Sequence, residues 1–164
     1  MNPVCVRSEQ LFLGIDPGKS GACALVDGNG RYRDAIRLSE TPGEIVEFLR
    51  AYCDTGIDFC AIEKVHSRPG NSGRSMFTFG ASFGFCLGML VTLRIRYVLV
   101  TPSDWMGSMK CRTKGDKNVT KIKAEQLFAA DLPPGKKIAH WNADALLLAE
   151  YARTCTYRQK LQMK

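Results

Sequence analysis

Three acidic residues stand where a carboxylate can do chemistry. Asp16 ends the run Leu11-Phe12-Leu13-Gly14-Ile15 and is followed at once by the turn residues Pro17-Gly18. Glu63 closes the run Phe59-Cys60-Ala61-Ile62, and Asp144 heads the run Ala145-Leu146-Leu147-Leu148-Ala149. A carboxylate at a strand end is held rigidly by the backbone behind it, yet it reaches solvent, metal or phosphate. Strand-end Asp, strand-end Glu and helix-start Asp, in that order, predict a carboxylate cage for a divalent cation, since hard cations take oxygen ligands. Two of the three also have a plain structural reading: Asp favours turns, and an acid in a first helical turn is favoured by the helix dipole. Glu63 has little structural reason to end an apolar strand unless it meets a cation.

The same stretch contains a near-miss. Gly14…Gly18-Lys19-Ser20 resembles a phosphate-binding P-loop but has one residue too few between its glycines, and it runs into a strand where a P-loop opens a helix. No nucleotide cofactor is expected.

The elements that must hold these acids follow from periodicity. Strands are expected at Leu11–Asp16, Ala22–Asp27 and Tyr32–Leu38, with Gly28-Asn29-Gly30 turning between the second and third. Thr41-Pro42 starts a helix, with Thr41 as cap, that ends near Asp54. A fourth strand covers Asp58–Glu63 and a fifth Arg96–Val100. A basic loop over residues 68–74 leads into a long helix at about Ser75–Arg94, and Thr101–Trp105 starts a short one. Lys110–Lys117 forms a second basic loop. Asn118–Ala130 reads as an amphipathic helix with Val119, Ile122, Leu127 and Phe128 apolar, and His140–Arg153 as the last helix. Three strands joined by short turns make an antiparallel meander. Strands separated by helices add in parallel, giving an α/β sheet with helices on both faces. One domain of 164 residues is expected, with its core at about 11–154 and a frayed basic tail over 155–164.

The net charge of +7 favours a polyanionic partner. Seven scattered cysteines form no CxxC pair, and Cys23, Cys60 and Cys86 lie in apolar runs. They read as small hydrophobes in a reducing compartment, not as disulfides or a zinc site. Residues 1–10 carry no secretory pattern. Ser75–Leu93 is uncharged and nearly long enough to span a bilayer, but its threonines and glycines favour a buried helix, and no membrane is expected. Gly80, Gly84 and Gly88 recur every fourth residue, which predicts a close-packing seam against the sheet or a contact with a second copy. Asp27, Asp34, Asp54, Asp58, Asp116 and Asp131 fall in turns or at element ends and read as solvated.

Taken together, Gly14-Ile15-Asp16-Pro17-Gly18 with Ser20-Gly21, Ile62-Glu63-Lys64-Val65, Val100-Thr101-Pro102 and Ala143-Asp144-Ala145-Leu146-Leu147 resemble a RuvC-type Holliday junction resolvase. The stretch from Glu63 to Gly84 is similar to the phage and prophage branch. The resemblance implies an RNase H-like fold: a mixed five-stranded sheet with the first three strands antiparallel and the last two added in parallel. It implies a cytoplasmic homodimer, bacterial or phage-encoded, that nicks a four-way DNA junction symmetrically and leaves 5′-phosphates. Two Mg²⁺ ions, with Mn²⁺ accepted, would be held by Asp16, Glu63 and Asp144.

The fourth ligand departs from the pattern. Better-known members carry an acid or His where Trp141 stands, and the branch tends to read Asp-His where this chain reads Ala139-His140. His140 is therefore expected as metal ligand or proton-transfer group. Met106 occupies the place of a catalytic-loop lysine, and Lys117 is the best match to another lysine of the family. His66 replaces an aromatic wedge. DNA contacts are expected from His66, Arg68, Arg74, Lys110, Arg112, Lys114, Lys117 and Lys121. Two other readings compete: a nuclease for flaps, forks or replication intermediates, and a branched-DNA binder whose active site is damaged at Ala139 and Trp141.

Overall fold

The computed structural model describes residues 10–18, 20–53, 56–64 and 72–162, with side chains through Cys155. Its elements are β1 (Leu11–Asp16), β2 (Ala22–Asp27), β3 (Tyr32–Arg37), α1 (Pro42–Cys53), β4 (Ile57–Glu63), α2 (Gly73–Thr92) and β5 (Tyr97–Val100). They continue with α3 (Pro102–Ser108), α4 (Asn118–Phe128), a 3-10 turn at Ala129–Asp131 and α5 (His140–Gln162). The sheet order is β3-β2-β1-β4-β5. β1, β2 and β3 are antiparallel, while β4 pairs parallel to β1 and β5 parallel to β4.

Alternation along the strands sorts side chains into two layers. Leu13, Ile15, Cys23, Leu25, Cys60 and Ile62 face α1 and α2, meeting Ile45, Leu49, Cys86, Met89 and Leu90. Phe12, Ala22, Ala24, Val26, Tyr32 and Ala61 face the layer of α3, α4 and α5. The small residues of this second face let α5 approach. A Cβ built on Gly14 would fall 2.0 Å from the Ala145 carbonyl oxygen and 2.3 Å from the Ala149 nitrogen. Backbone therefore lies on backbone, which only glycine permits there.

Local signals set the helix starts. At Thr41 the hydroxyl donates to Glu44 Oε2 at 2.6 Å, while Glu44 N donates back to Thr41 Oγ1 at 3.3 Å, a capping box. Thr101 caps α3 through Asp104 N, and Pro102 takes the first turn. Within α5, Arg153 pairs with both carboxylate oxygens of Glu150, at 2.7 and 2.6 Å, and donates to the Gly28 carbonyl at 3.3 Å. That pins the β2–β3 turn to the helix.

Four expectations need correction. The tail is not frayed at its start: α5 runs on to Gln162, through residues such as Arg158, Gln159, Lys160 and Leu161 that favour helix. On α4 the buried side chains are Thr120, Ala124 and Phe128, while Ile122 and Leu127 are exposed. The helix is turned so that Thr120 faces α5, so its apolar residues do not form one face. Asp27 and Asp58 are buried, and Asp34 is half-buried. Asp27 Oδ1 accepts from Asn29 N and Arg31 N at 2.9 Å each, and Asp34 accepts from the Tyr52 hydroxyl at 3.0 Å. Asp27 and Asp34 thus satisfy turn and side-chain donors, and none of the three is solvated as expected. Finally, a Cβ on Gly80, Gly84 or Gly88 would meet nothing within 4 Å. The glycine seam is open and does not lie against the sheet; Cys86, Met89 and Leu90 make that contact. By length and composition α2 is apolar enough to cross a membrane. His66, Arg68, Asp54 and Lys19 lie outside the described residues.

The contrast between the glycines is testable by urea unfolding. Gly14→Ala is expected to lose about 3 kcal/mol or more by overpacking. Gly84→Ala, in open space on a helix, is expected to gain up to about 1 kcal/mol. Equal stability of the two variants would disprove the close approach at Gly14.

Candidate active site

Asp16 and Glu63 end neighbouring strands at one level. β1 and β4 are in register at Ile15 and Ile62, so the two acids are the next pair along. The inter-strand spacing sets their Cα atoms about 5 Å apart, on the face that α5 covers. Because α5 crosses β1 at Gly14, its N-terminal part carries Asp144 to the same end of the sheet. The turn after β1 packs onto Asp16 itself: Gly21 N donates to Gly18 O at 2.9 Å, and a Cβ on Gly21 would sit 1.9 Å from the Asp16 carbonyl oxygen.

A cleft of about 290 Å³ opens there, with Asp16, Asp144, His140 and Lys117 in its lining. Ser20, Thr120, Arg37 and Trp141 complete the wall. Glu63 is outside that lining. Its Oε2 accepts from Trp105 Nε1 at 2.7 Å, from a tryptophan that is fully buried beneath α3. Glu63 thus has the structural partner that its sequence context did not reveal. Among the described residues, no three His, Cys, Asp or Glu side chains close into one metal-holding cluster as they stand.

The electrostatics mark Asp16 and Asp144. Burial pushes the Asp16 carboxyl above its ordinary value; the bond from Gly18 N, at 2.9 Å to Oδ1, draws it back. The Asp144 charge adds to the rise and Lys117 opposes it. Asp144 is likewise raised, chiefly by burial, against the lowering effects of the Thr120 hydroxyl, Lys117 and His140. Its Oδ1 is buried and has no hydrogen-bond partner. An unmatched carboxylate oxygen beside a second acid suits a hard divalent cation, which supplies what both groups lack. By donor chemistry, Asp16 and Asp144 fit such an ion, with Glu63 one strand away and the His140 imidazole on the rim.

The loop ahead of α5 is fixed by Asn142, which is buried. Its Oδ1 accepts from Ala139 N at 2.8 Å, and its Nδ2 donates to Lys137 O at 3.1 Å. Sequence reading missed this residue, although an amide at a helix start is a known loop-to-helix fastener. It also missed Arg37, at the end of β3, whose guanidinium lies 4.7 Å from the centroid of the Trp141 ring. Met106 is half-buried and packs against the core around Trp105. Of the expected DNA contacts that fall among the described residues, Lys117 alone lines the cleft. Arg74, Lys110, Arg112 and Lys114 are exposed. Lys110 and Lys114 adopt positive φ of 55° and 45° in the loop before α4. Arg112 donates to Ser103 Oγ at 3.1 Å, and Lys121 is paired with Glu125 at 3.2 Å.

No protein-family model matches the chain, and no curated protein sequence does. Solved structures do. T. thermophilus RuvC in complex with a Holliday junction substrate superposes with a TM-score of 0.59 at 15% identity, covering 92% of this chain and 96% of that one. A Thermus thermophilus RuvC structure gives 0.58 at 15% identity, over 93% and 96%.

A pH test follows from the two raised carboxyls. Folded Asp16 and Asp144 bind protons more tightly than an ordinary aspartate, which titrates at 3.8. Their stabilising contribution is present with the carboxyl protonated, at low pH, and is lost as pH rises through the raised folded value. Asp16→Asn is therefore expected to melt about 2–4 °C above wild type at pH 7, the shift that roughly 1 kcal/mol gives in a chain this size. The gain should vanish below pH 3.8. A variant that melts lower at pH 7 would show that Asp16 is a net stabiliser. The chain shares the mixed five-stranded, RNase H-like fold of the RuvC structures.

Proposed function

We propose that the protein is a metal-dependent endonuclease that resolves four-way DNA junctions by paired nicks leaving 5′-phosphates. The observation that carries this is the pairing of Asp16 with Asp144 in one cleft beside Lys117, with Asp144 Oδ1 buried and unmatched. The RuvC fold adds support, since one of the superposed proteins holds a Holliday junction substrate.

Asp16, Glu63, Asp144 and His140 would hold two Mg²⁺ ions, with Mn²⁺ accepted. When bound, such ions neutralise charge at phosphorus and activate water. The chain's own residues divide the remaining work. Lys117 is a point charge for a phosphate oxygen in the cleft. His140, exposed on the first turn of α5, completes the ligand set from the rim. Thr120 steadies Asp144, and Trp105 aims Glu63. Exposed Arg74, Lys110, Arg112 and Lys114 extend the basic surface along flanking arms, with Lys121 beside them.

A symmetric pair of nicks calls for two active sites, so the reading includes a homodimer. Its seam would be α2. The helix has no charge after Arg74, and Gly80, Gly84 and Gly88 face open space. Phe77 is 79% exposed and Val91 64%. On the same layer, Tyr97 and Leu99 of the edge strand β5 are exposed. An uncharged face cannot repel its own copy, whereas the rest of the molecule is cationic. Light scattering is expected to give a dimer for wild type and a monomer for Gly84→Arg; a monomeric wild type would remove this seam.

The decisive assay is cleavage of a labelled four-way junction with Mg²⁺, with Mn²⁺ and with EDTA, beside flaps, forks and a linear duplex. Paired nicks near the crossover that require metal are expected. Asp16→Asn is expected to lower nicking by about 10³-fold or more while junction binding persists. Tight binding without nicking in either metal would instead favour a branched-DNA binder, and faster cleavage of flaps or forks would change the substrate.

A further inference from the structure

Arg37 stands in a row that no strand-end motif announces. Across the β1–β2 pair Asp16 lies opposite Ala22, and across β2–β3 Ala22 lies opposite Arg37. Directly opposed residues share a face, so all three point to the α5 side. Two inter-strand spacings separate Asp16 from Arg37 by about 10 Å at Cα. Ala22 between them is buried and contributes only a methyl group. An acid and a cation therefore stand at the two ends of one cross-strand row, and both line the same cleft.

The cation is held in an unusual way for this molecule. Arg50 pairs with Glu47, Lys121 with Glu125, and Arg153 with Glu150. Arg37 instead lies over the Trp141 ring at 4.7 Å, and among the described residues no carboxylate pairs with it. Trp141 is half-buried, with its body packed against the core, so the platform is fixed. A guanidinium over an aromatic face spends none of its N–H donors on a carboxylate and keeps them for another acceptor. A guanidinium fork matches the geometry of a phosphate, and among the described residues no acid is paired with this one.

We infer that Arg37 grips a backbone phosphate of the DNA strand lying in the cleft, adjacent to the phosphate that is cut, and that Trp141 is the positioning residue that aims it. The inference rests on the nuclease reading for its ligand. The cleft then has two poles: acids at the end of β1 and near the start of α5, and an arginine over a tryptophan ring at the end of β3. A strand laid along the row meets both, and its phosphodiester is fixed on two sides.

The test is DNA binding in EDTA, using a fluorescein-labelled four-way junction and a linear duplex from about 50 to 200 mM NaCl. Each phosphate neutralised contributes about 0.9 to the slope of log affinity against log salt. Arg37→Gln is expected to lower the junction slope by about one. Arg37→Lys is expected to keep the slope but to nick about 10–100-fold more slowly at saturating junction, because the fork is lost. Trp141→Ala is expected to shift binding in the same direction as Arg37→Gln but less, with Trp141→Phe restoring it. The urea midpoint of Arg37→Gln should match wild type, since the side chain is exposed. An unchanged slope in Arg37→Gln overturns the inference. So does an equal drop in Arg50→Gln, on the opposite helix layer, which would reduce the effect to general charge. A wild type that binds but does not nick sinks the nuclease reading alone, and the slope still decides Arg37.

Discussion

Everything in the cleft depends on one helix lying directly on one strand. At Gly14 the backbone of α5 rests on the backbone of β1, closer than any side chain would allow. The alanines around it, Ala22, Ala24 and Ala61 below and Ala145, Ala149 and Ala152 above, extend the same close contact. Burial of this much small-residue surface fixes the helix axially as well as laterally, because close-packed interiors leave little room to slide. Asp144 is thereby set beside Asp16 without any bond between them. Attraction cannot hold two like charges together; packing elsewhere has to.

The cleft shows how that opposition is moderated. Lys117, at the start of α4, and His140 lower the cost for Asp144, and the Gly18 amide does so for Asp16. Asn142 fixes the loop that delivers His140, and buried Trp105 fixes Glu63. Each acid of the expected set is thus oriented by a neighbour that has no charge to lose. Functional side chains on rigid elements, supported by neutral hydrogen bonds, are the arrangement expected of a site that must not reorganise when its ligand arrives.

Much of this was legible in the sequence, for reasons that differ by residue. Asp16 and Glu63 are announced by apolar strands ending in an acid, and Asp144 by an acid heading an apolar helix. The antiparallel and parallel halves of the sheet follow from connection length alone. Partners across long separations were not legible. Nothing near Glu63 predicts Trp105, and nothing near Arg37 predicts Trp141, since both contacts are made by packing of distant elements. Asp27 looked solvated because turn acids usually are, and the two amides that its Oδ1 accepts from emerge only with the turn geometry. The glycines of α2 read as a seam against the sheet, and the structure leaves them facing open space. Spacing tells that a backbone can be approached; it does not tell by what.

Arg153 adds a mechanical consequence. It ties the far end of the β2–β3 hairpin, at Gly28, to the middle of α5, while the Arg37–Trp141 stack ties the hairpin's near end to the first turn of the same helix. A ribbon fastened to a rod at both ends has no hinge of its own, so hairpin and helix move as one body. The freedom left to the cleft lies on its other wall. α4 arrives there through a loop whose left-handed residues, Lys110, Lys114 and Gly115, are the backbone positions best suited to absorb a rotation. Any breathing of the site is therefore a swing of Lys117 toward or away from a stationary pair of acids.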